Sequence, residues 1–143
     1  MTVVFSLVYN LLLLPLLWLV FHFLALFDQK FRKGIDGRKN LFVQLQQEIN
    51  TNISQQFRVW IHCASLGEYE QAKPIITELK LQYSSVLIVV TFFSPSGYTN
   101  AQKIIDDEIH LYLPFDSILN ARHFYSLVQP KVALFMSYDL WWN

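Results

Sequence analysis

A chain of 143 residues has room for one ordinary domain, and 53% apolar residues with 16% aromatics give it more core-forming side chain than a disordered segment carries. The formal net charge is zero but uneven: residues 28 to 40 hold five bases against two acids, and residues 41 to 143 hold six bases against nine acids. A mildly acidic domain on a short basic stem excludes a nucleic-acid binder, which would spread Lys and Arg over one face. One cysteine, Cys63, excludes an intrachain disulfide, and His22, His62, His110 and His123 lack the spacing of a zinc site.

From the N-terminus, Val3 to Phe27 is a run of 25 residues without a charge. As a helix it is about 37 Å long, enough to cross a hydrocarbon core of about 30 Å with some tilt. The bases follow the run and no small-residue cleavage site precedes them, so it reads as an uncleaved anchor rather than a signal peptide. Lys30, Arg32, Lys33, Arg38 and Lys39 predict that the following domain stays on the cytoplasmic side. Pro15 and Asn10 interrupt the first half, so the segment is expected to be single-pass or monotopic. Tyr9 and Trp18 are expected to face lipid or pack within the span.

After the stem, Gly34 and Gly37 predict a flexible turn, and Leu41, Phe42, Leu45 and Ile49 have the spacing of a short connecting helix. From Arg58 the pattern changes to compact runs of branched and aromatic residues at 58–64, 86–93, 110–115 and 131–137, each of strand length. Between them, Ala72, Ile75, Ile76 and Leu79 form one helical stripe, Tyr98, Ala101, Ile104 and Ile105 a second, and Ile118, Ala121, Tyr125 and Val128 a third. Strand starts 28, 24 and 21 residues apart suit right-handed crossovers, and strands apolar on both faces suit a covered parallel sheet. The expected fold class is therefore α/β, a Rossmann-like parallel sheet preceded by one N-terminal membrane helix. Pro74 predicts either a bend in the first crossover helix or a helix that starts near Glu70, leaving the preceding turn partly free.

In such a sheet the working edge is where strands end and helices begin. Ser65-Leu66-Gly67-Glu68, Ser94-Pro95-Ser96-Gly97, Pro114-Phe115-Asp116 and Ser137-Tyr138-Asp139 should gather there. Glu68 opens the first crossover helix, where partial positive charge favours the ionised carboxylate that a general base needs. Ser65 with Glu68 three residues on is also the spacing of a capping box, which needs no catalysis. Ser94, Ser96 and Gly97 form a turn whose hydroxyls and N–H groups suit an anionic or sugar group, although any strand-to-helix turn has such residues. Asp116 reads as an ordinary helix start. Asp139 stands beside Trp141 and Trp142, an arrangement suited to carbohydrate or lipid as well as to packing.

The joint pattern resembles the 3-deoxy-D-manno-octulosonic acid (Kdo) transferases of Gram-negative bacteria. It is carried by the apolar N-terminus and basic stem, His62-Cys63-Ala64-Ser65-Leu66-Gly67-Glu68, Val90-Thr91-Phe92-Phe93-Ser94-Pro95-Ser96-Gly97, Leu111-Tyr112-Leu113-Pro114-Phe115-Asp116, Gln129-Pro130-Lys131 and Leu140-Trp141. The resemblance implies the acceptor-side, N-terminal half of a two-domain GT-B glycosyltransferase at the inner membrane, acting in lipopolysaccharide synthesis. It implies that CMP-Kdo is the donor and a lipid A precursor the acceptor, that no cofactor or catalytic metal is used, and that Glu68 is the catalytic base. Ser65, Gly67, Ser94, Ser96, Gly97 and Asp139 are then candidate substrate-binding residues.

Many relatives end this region Glu-Thr-Glu-Leu-Trp-Pro-Asn, whereas Ser137-Tyr138-Asp139-Leu140-Trp141-Trp142-Asn143 lacks the first acid and shortens the second. The expected organisation is an anchor over 1–27, a basic stem and connecting helix over 28–57, and an acceptor-side domain over 58–143 that is truncated before the donor domain. The alternative is a membrane-tethered Rossmann-like interaction module without catalysis, with Glu68 only a cap.

Overall fold

A computed structural model describes residues 2–52, 57–139 and 141–143. The apolar run forms α1 (Thr2–Val8), a π-helical turn (Tyr9–Leu13) and α2 (Leu14–Leu24). The wide turn ends just before Pro15, whose ring removes a donor and crowds the carbonyl four residues back. Val4–Leu24 is long and apolar enough to cross a membrane.

The stem is more ordered than its glycines predict. α3 (Gln29–Asp36) is capped by Asp28, whose carboxylate accepts from Lys30 N at 2.7 Å, and it runs through Gly34 in place of the expected flexible turn. Gly37 follows at the C-cap with an ordinary helical φ of −65°; it is needed for closeness, because a Cβ there would run into the Tyr112 ring. α4 (Leu41–Thr51) buries Leu41, Leu45 and Ile49, the stripe expected of the connecting helix.

The rest alternates strand and helix: β1 (Phe57–Cys63), α5 (Leu66–Gln82), β2 (Val86–Phe92), α6 (Pro95–Asn100), β3 (Glu108–Tyr112), α7 (Ile118–Val128) and β4 (Val132–Phe135). All strand pairs are parallel, and the order is β3-β2-β1-β4. The α/β class, the parallel sheet and the single apolar N-terminal helix are as expected. β2 is buried along its whole length because helices cover both faces. On one face Val59, Ile61, Cys63, Ile88, Val90 and Phe92 pack with Tyr69, Ala72 and Ile76 of α5. On the other, Leu87, Val89, Ile109 and Leu111 pack with Leu45 and Ile49 of α4 and Phe124 and Val128 of α7.

Three local expectations fail for identifiable reasons. α6 stops at Asn100, so the stripe through Ile104 and Ile105 is not helical. The buried Glu108 carboxylate instead accepts from Ile104 N and Ile105 N at 2.9 and 3.1 Å, and the Tyr69 hydroxyl lies 2.9 Å from Gln102 O, which holds the chain in a loop. Burial works to raise the Glu108 pKa, but hydrogen bonds from His110, Ile104 N–H and Tyr69 outweigh it and hold the carboxyl below its ordinary value. In α7 the buried face runs through Phe124 and Val128 while Tyr125 is exposed, because Phe124 meets Trp60 with ring centroids 5.1 Å apart. In α5 the helix is continuous from Leu66 past Pro74, so the turn before it is not freed by the proline.

Candidate functional site

Parallel strands send all their C-terminal ends to one edge, and the order 3-2-1-4 places a switch point between β1 and β4, where neighbouring connections leave in opposite directions. Met136 N donates to His62 O at 3.0 Å, so the segment after β4 continues alongside the end of β1. On the other side, Ser94 N donates to Ala64 O at 2.9 Å and joins the turn after β2 to the turn after β1.

Glu68 lies in the first turn of α5. Its own N–H reaches Ser65 Oγ at 3.4 Å, and its carboxylate Oε2 accepts from Ala64 N at 2.6 Å. This differs from a reciprocal capping box by one residue, since the side chain reaches past the Ser65 N–H to that of Ala64. One carboxylate oxygen is fixed to backbone, and the side chain is half-buried at the working edge. Gly67 beside it is exposed.

Ser94 caps α6, its Oγ accepting from Gly97 N at 3.1 Å and lying 3.3 Å from Ser96 Oγ. Gly97 is buried, and a Cβ there would stand 2.9 Å from Phe92 and 3.2 Å from Leu66 N, so glycine lets the starts of α5 and α6 approach. Ser65, Gly67 and Glu68 are thereby brought together with Ser94, Ser96 and Gly97. Asp139 lies on the switch-point side, with Oδ2 3.2 Å from His62 Nε2. His62 is a residue that spacing did not single out; its place two residues after Trp60 on one strand face was the available signal.

Asp116 does more than begin a helix. Ser117 is the N-cap of α7, and Asp116 Oδ2 accepts from Tyr9 Oη at 2.6 Å and from Asn143 Nδ2 at 3.3 Å. Tyr9 is therefore buried against the domain instead of facing lipid. Phe5 meets Trp142 with centroids 4.7 Å apart, and Phe21 meets Phe93 and Phe115 at 6.1 and 5.7 Å, so the apolar helix lies along the working edge. Leu11, Leu12, Leu16, Leu19 and Phe23 remain exposed.

Arg38 staples the stem to the same edge. Its guanidinium donates to Leu113 O at 2.7 Å, Gly34 O at 2.7 Å and Phe93 O at 2.9 Å, and it lies over the rings of Phe93, Tyr112 and Phe115. Burial pulls its pKa down to about 10, which leaves it charged at neutral pH. It forms one wall of a largely apolar cavity of about 280 Å³ with Phe21, Phe31, Pro95 and Lys30. A second apolar cavity of about 410 Å³ lies between α7 and the end of β4, lined by Trp60, Phe124, Phe135 and Trp141 among others. Trp141 Nε1 is buried without a hydrogen-bond partner among the described residues. Leu140 lies outside the described residues.

Residues 33–143 match the family model described as 3-deoxy-D-manno-octulosonic-acid transferase (kdotransferase). Curated proteins named 3-deoxy-D-manno-octulosonic acid transferase are similar to the chain. That of Haemophilus influenzae is 35% identical over 86 residues, covering 59% of this chain and 20% of the relative. That of Rickettsia felis is 31% identical over 123 residues, covering 79% and 26%, and that of Aquifex aeolicus 32% over 85 residues, covering 58% and 23%. The chain thus spans between 20% and 26% of the length of these relatives. No solved structure matches it.

Proposed function

Because the chain belongs to the 3-deoxy-D-manno-octulosonic-acid transferase family, we propose that it forms the acceptor-side part of a membrane-bound glycosyltransferase that moves Kdo from CMP-Kdo to a lipid A precursor. The observation that carries the chemistry is Glu68, a carboxylate at the sheet's C-terminal edge with Oε2 tied to Ala64 N–H. In this reading an acceptor hydroxyl oxygen attacks the anomeric carbon of the donor while Glu68 takes the hydroxyl proton. The bond from that carbon to the phosphate oxygen breaks, and CMP leaves with the electron pair. Holding one carboxylate oxygen orients the other, so the base does not have to be ordered at the moment of transfer. Ser65, Gly67, Ser94, Ser96 and Gly97 supply neighbouring hydroxyl and backbone N–H groups for the substrates, and Asp139 supplies a second carboxylate.

The test is Glu68→Gln in the complete gene product. Gln keeps an acceptor for Ala64 N–H but cannot take a proton, so transfer should fall by about 10²-fold or more while stability hardly changes. Near-wild-type transfer by the folded variant would leave Glu68 as a cap and remove it from the mechanism.

For the membrane, the reading is monotopic, with the domain on the cytoplasmic side. The Tyr9–Asp116 and Phe5–Trp142 contacts support it, since a helix held along the domain from residue 5 to residue 21 turns one side to protein and leaves the other for lipid. With bromolipids at defined depths, fluorophores at positions 12 and 23 should be quenched alike and at shallow depth. Quenching of one of them at the bilayer centre would indicate a spanning helix.

A further inference from the structure

We propose that His62 is a positioning residue, fixed as the Nε2–H tautomer by a directed hydrogen-bond chain from Trp60 through Thr91, and that it aims Asp139 into the switch-point crevice. The proposal rests on the glycosyl-transfer reading above for what Asp139 does there.

The chain of donors follows from the side chains alone. Trp60 Nε1 can only donate, and it reaches Thr91 Oγ1 at 2.8 Å. Thr91 is completely buried, and among the described residues the acceptor within reach of its own hydroxyl proton is His62 Nδ1 at 2.9 Å. That contact assigns Nδ1 as the unprotonated nitrogen of the neutral ring, because a protonated Nδ1 would leave the Thr91 hydroxyl proton without an acceptor among the described residues. The other end agrees independently: Nε2 faces the Asp139 carboxylate at 3.2 Å, and two acceptors would repel each other there. His62 Nδ1 also lies 3.1 Å from Thr91 O, the acceptor that a protonated Nδ1 would use instead.

His62 is 1% exposed, so it does not meet substrate itself. Asp139 has a side chain 31% exposed and is the member of the pair that reaches the crevice. A crevice at the end of β1 and β4 is where an open parallel sheet holds its ligands. Trp60 also packs against Phe135 at 5.2 Å between centroids, which locks the first donor of the chain in place. The carboxylate is thus oriented by groups inside the sheet rather than by solvent, the preorganisation that a site needs for its charge to be in place before the substrate arrives.

Two measurements test this. In the chain labelled with ¹⁵N at histidine, at a pH where His62 is neutral, long-range proton–nitrogen spectra should show Nε2 protonated and Nδ1 bare, and Thr91→Val should mix the tautomers. A protonated Nδ1 in the neutral wild-type ring overturns the donor chain. In the complete gene product, His62→Leu should lower transfer by about tenfold or more, the scale of a misplaced reacting group. His62→Gln, whose amide still donates to Asp139, should recover a clear part of that loss. Wild-type transfer by a folded His62→Leu, or equal losses in both variants, overturns the positioning role. Absence of transfer by the wild-type protein would instead sink the glycosyl-transfer reading, and the tautomer result would stand apart from it.

Discussion

The thiol of Cys63 is wholly buried on the α5 face, and burial, with the charges of Glu68 and Glu108 adding to it, pushes its pKa up to about 12. The protonated thiol is a small core group, inert as a nucleophile. Iodoacetamide at pH 8 should leave it unmodified in the native chain and label it once the chain is unfolded; rapid native labelling would contradict this. The same shift has a sign for stability. Between the unfolded thiol's pKa of about 8.5 and the folded value, the folded state keeps a proton that the unfolded state loses, so stability falls as pH rises, by at most about 1.4 kcal/mol per pH unit. Urea midpoints measured from pH 8 to 10 should decline.

At the scale of elements, the basic stem joins the apolar N-terminal helix to the sheet through Arg38. One guanidinium satisfies carbonyls from three segments: Gly34 inside α3, Phe93 after β2 and Leu113 after β3. Lys offers a point charge without the planar fork or the stacking on Phe93, Tyr112 and Phe115. Arg38→Lys should therefore cost about 1–3 kcal/mol in urea unfolding, with at least one buried carbonyl left unpaired. A variant as stable as wild type would show that the stem docks through its apolar residues alone. α6 gives the converse lesson. Its stripe continues in the sequence, but Glu108, four residues beyond Ile104, supplies an acceptor that competes with the helical hydrogen bonds.

For the whole molecule, the sheet ends at β4, which pairs on one side with β1 and leaves Val132, Ala133 and Phe135 exposed. The relatives are four to five times longer than the matched region, which covers between 20% and 26% of them. In the glycosyl-transfer reading the donor is held mainly by parts of the relatives outside the matched region, so the 143-residue chain alone should show neither heat of binding with CMP nor transfer of Kdo. Turnover by the purified chain would place both substrates on this one sheet and change the proposal.

The sequence by itself determined the α/β class, the rhythm of strands and helices and the apolar N-terminal helix, because these rest on local periodicity and on runs buried from both sides. Its family was legible for a related reason: the turns after parallel strands are short, and their residues stay contiguous. The tertiary structure alone decided that Tyr9 meets Asp116, 107 residues away, that Arg38 reaches the ends of two strands, and that His62 faces Thr91 and Asp139. Each of these joins side chains whose spacing along the chain is set by strand order and register. Local pattern contains neither, because the order β3-β2-β1-β4 places β4 beside β1 only once the whole sheet has been assembled.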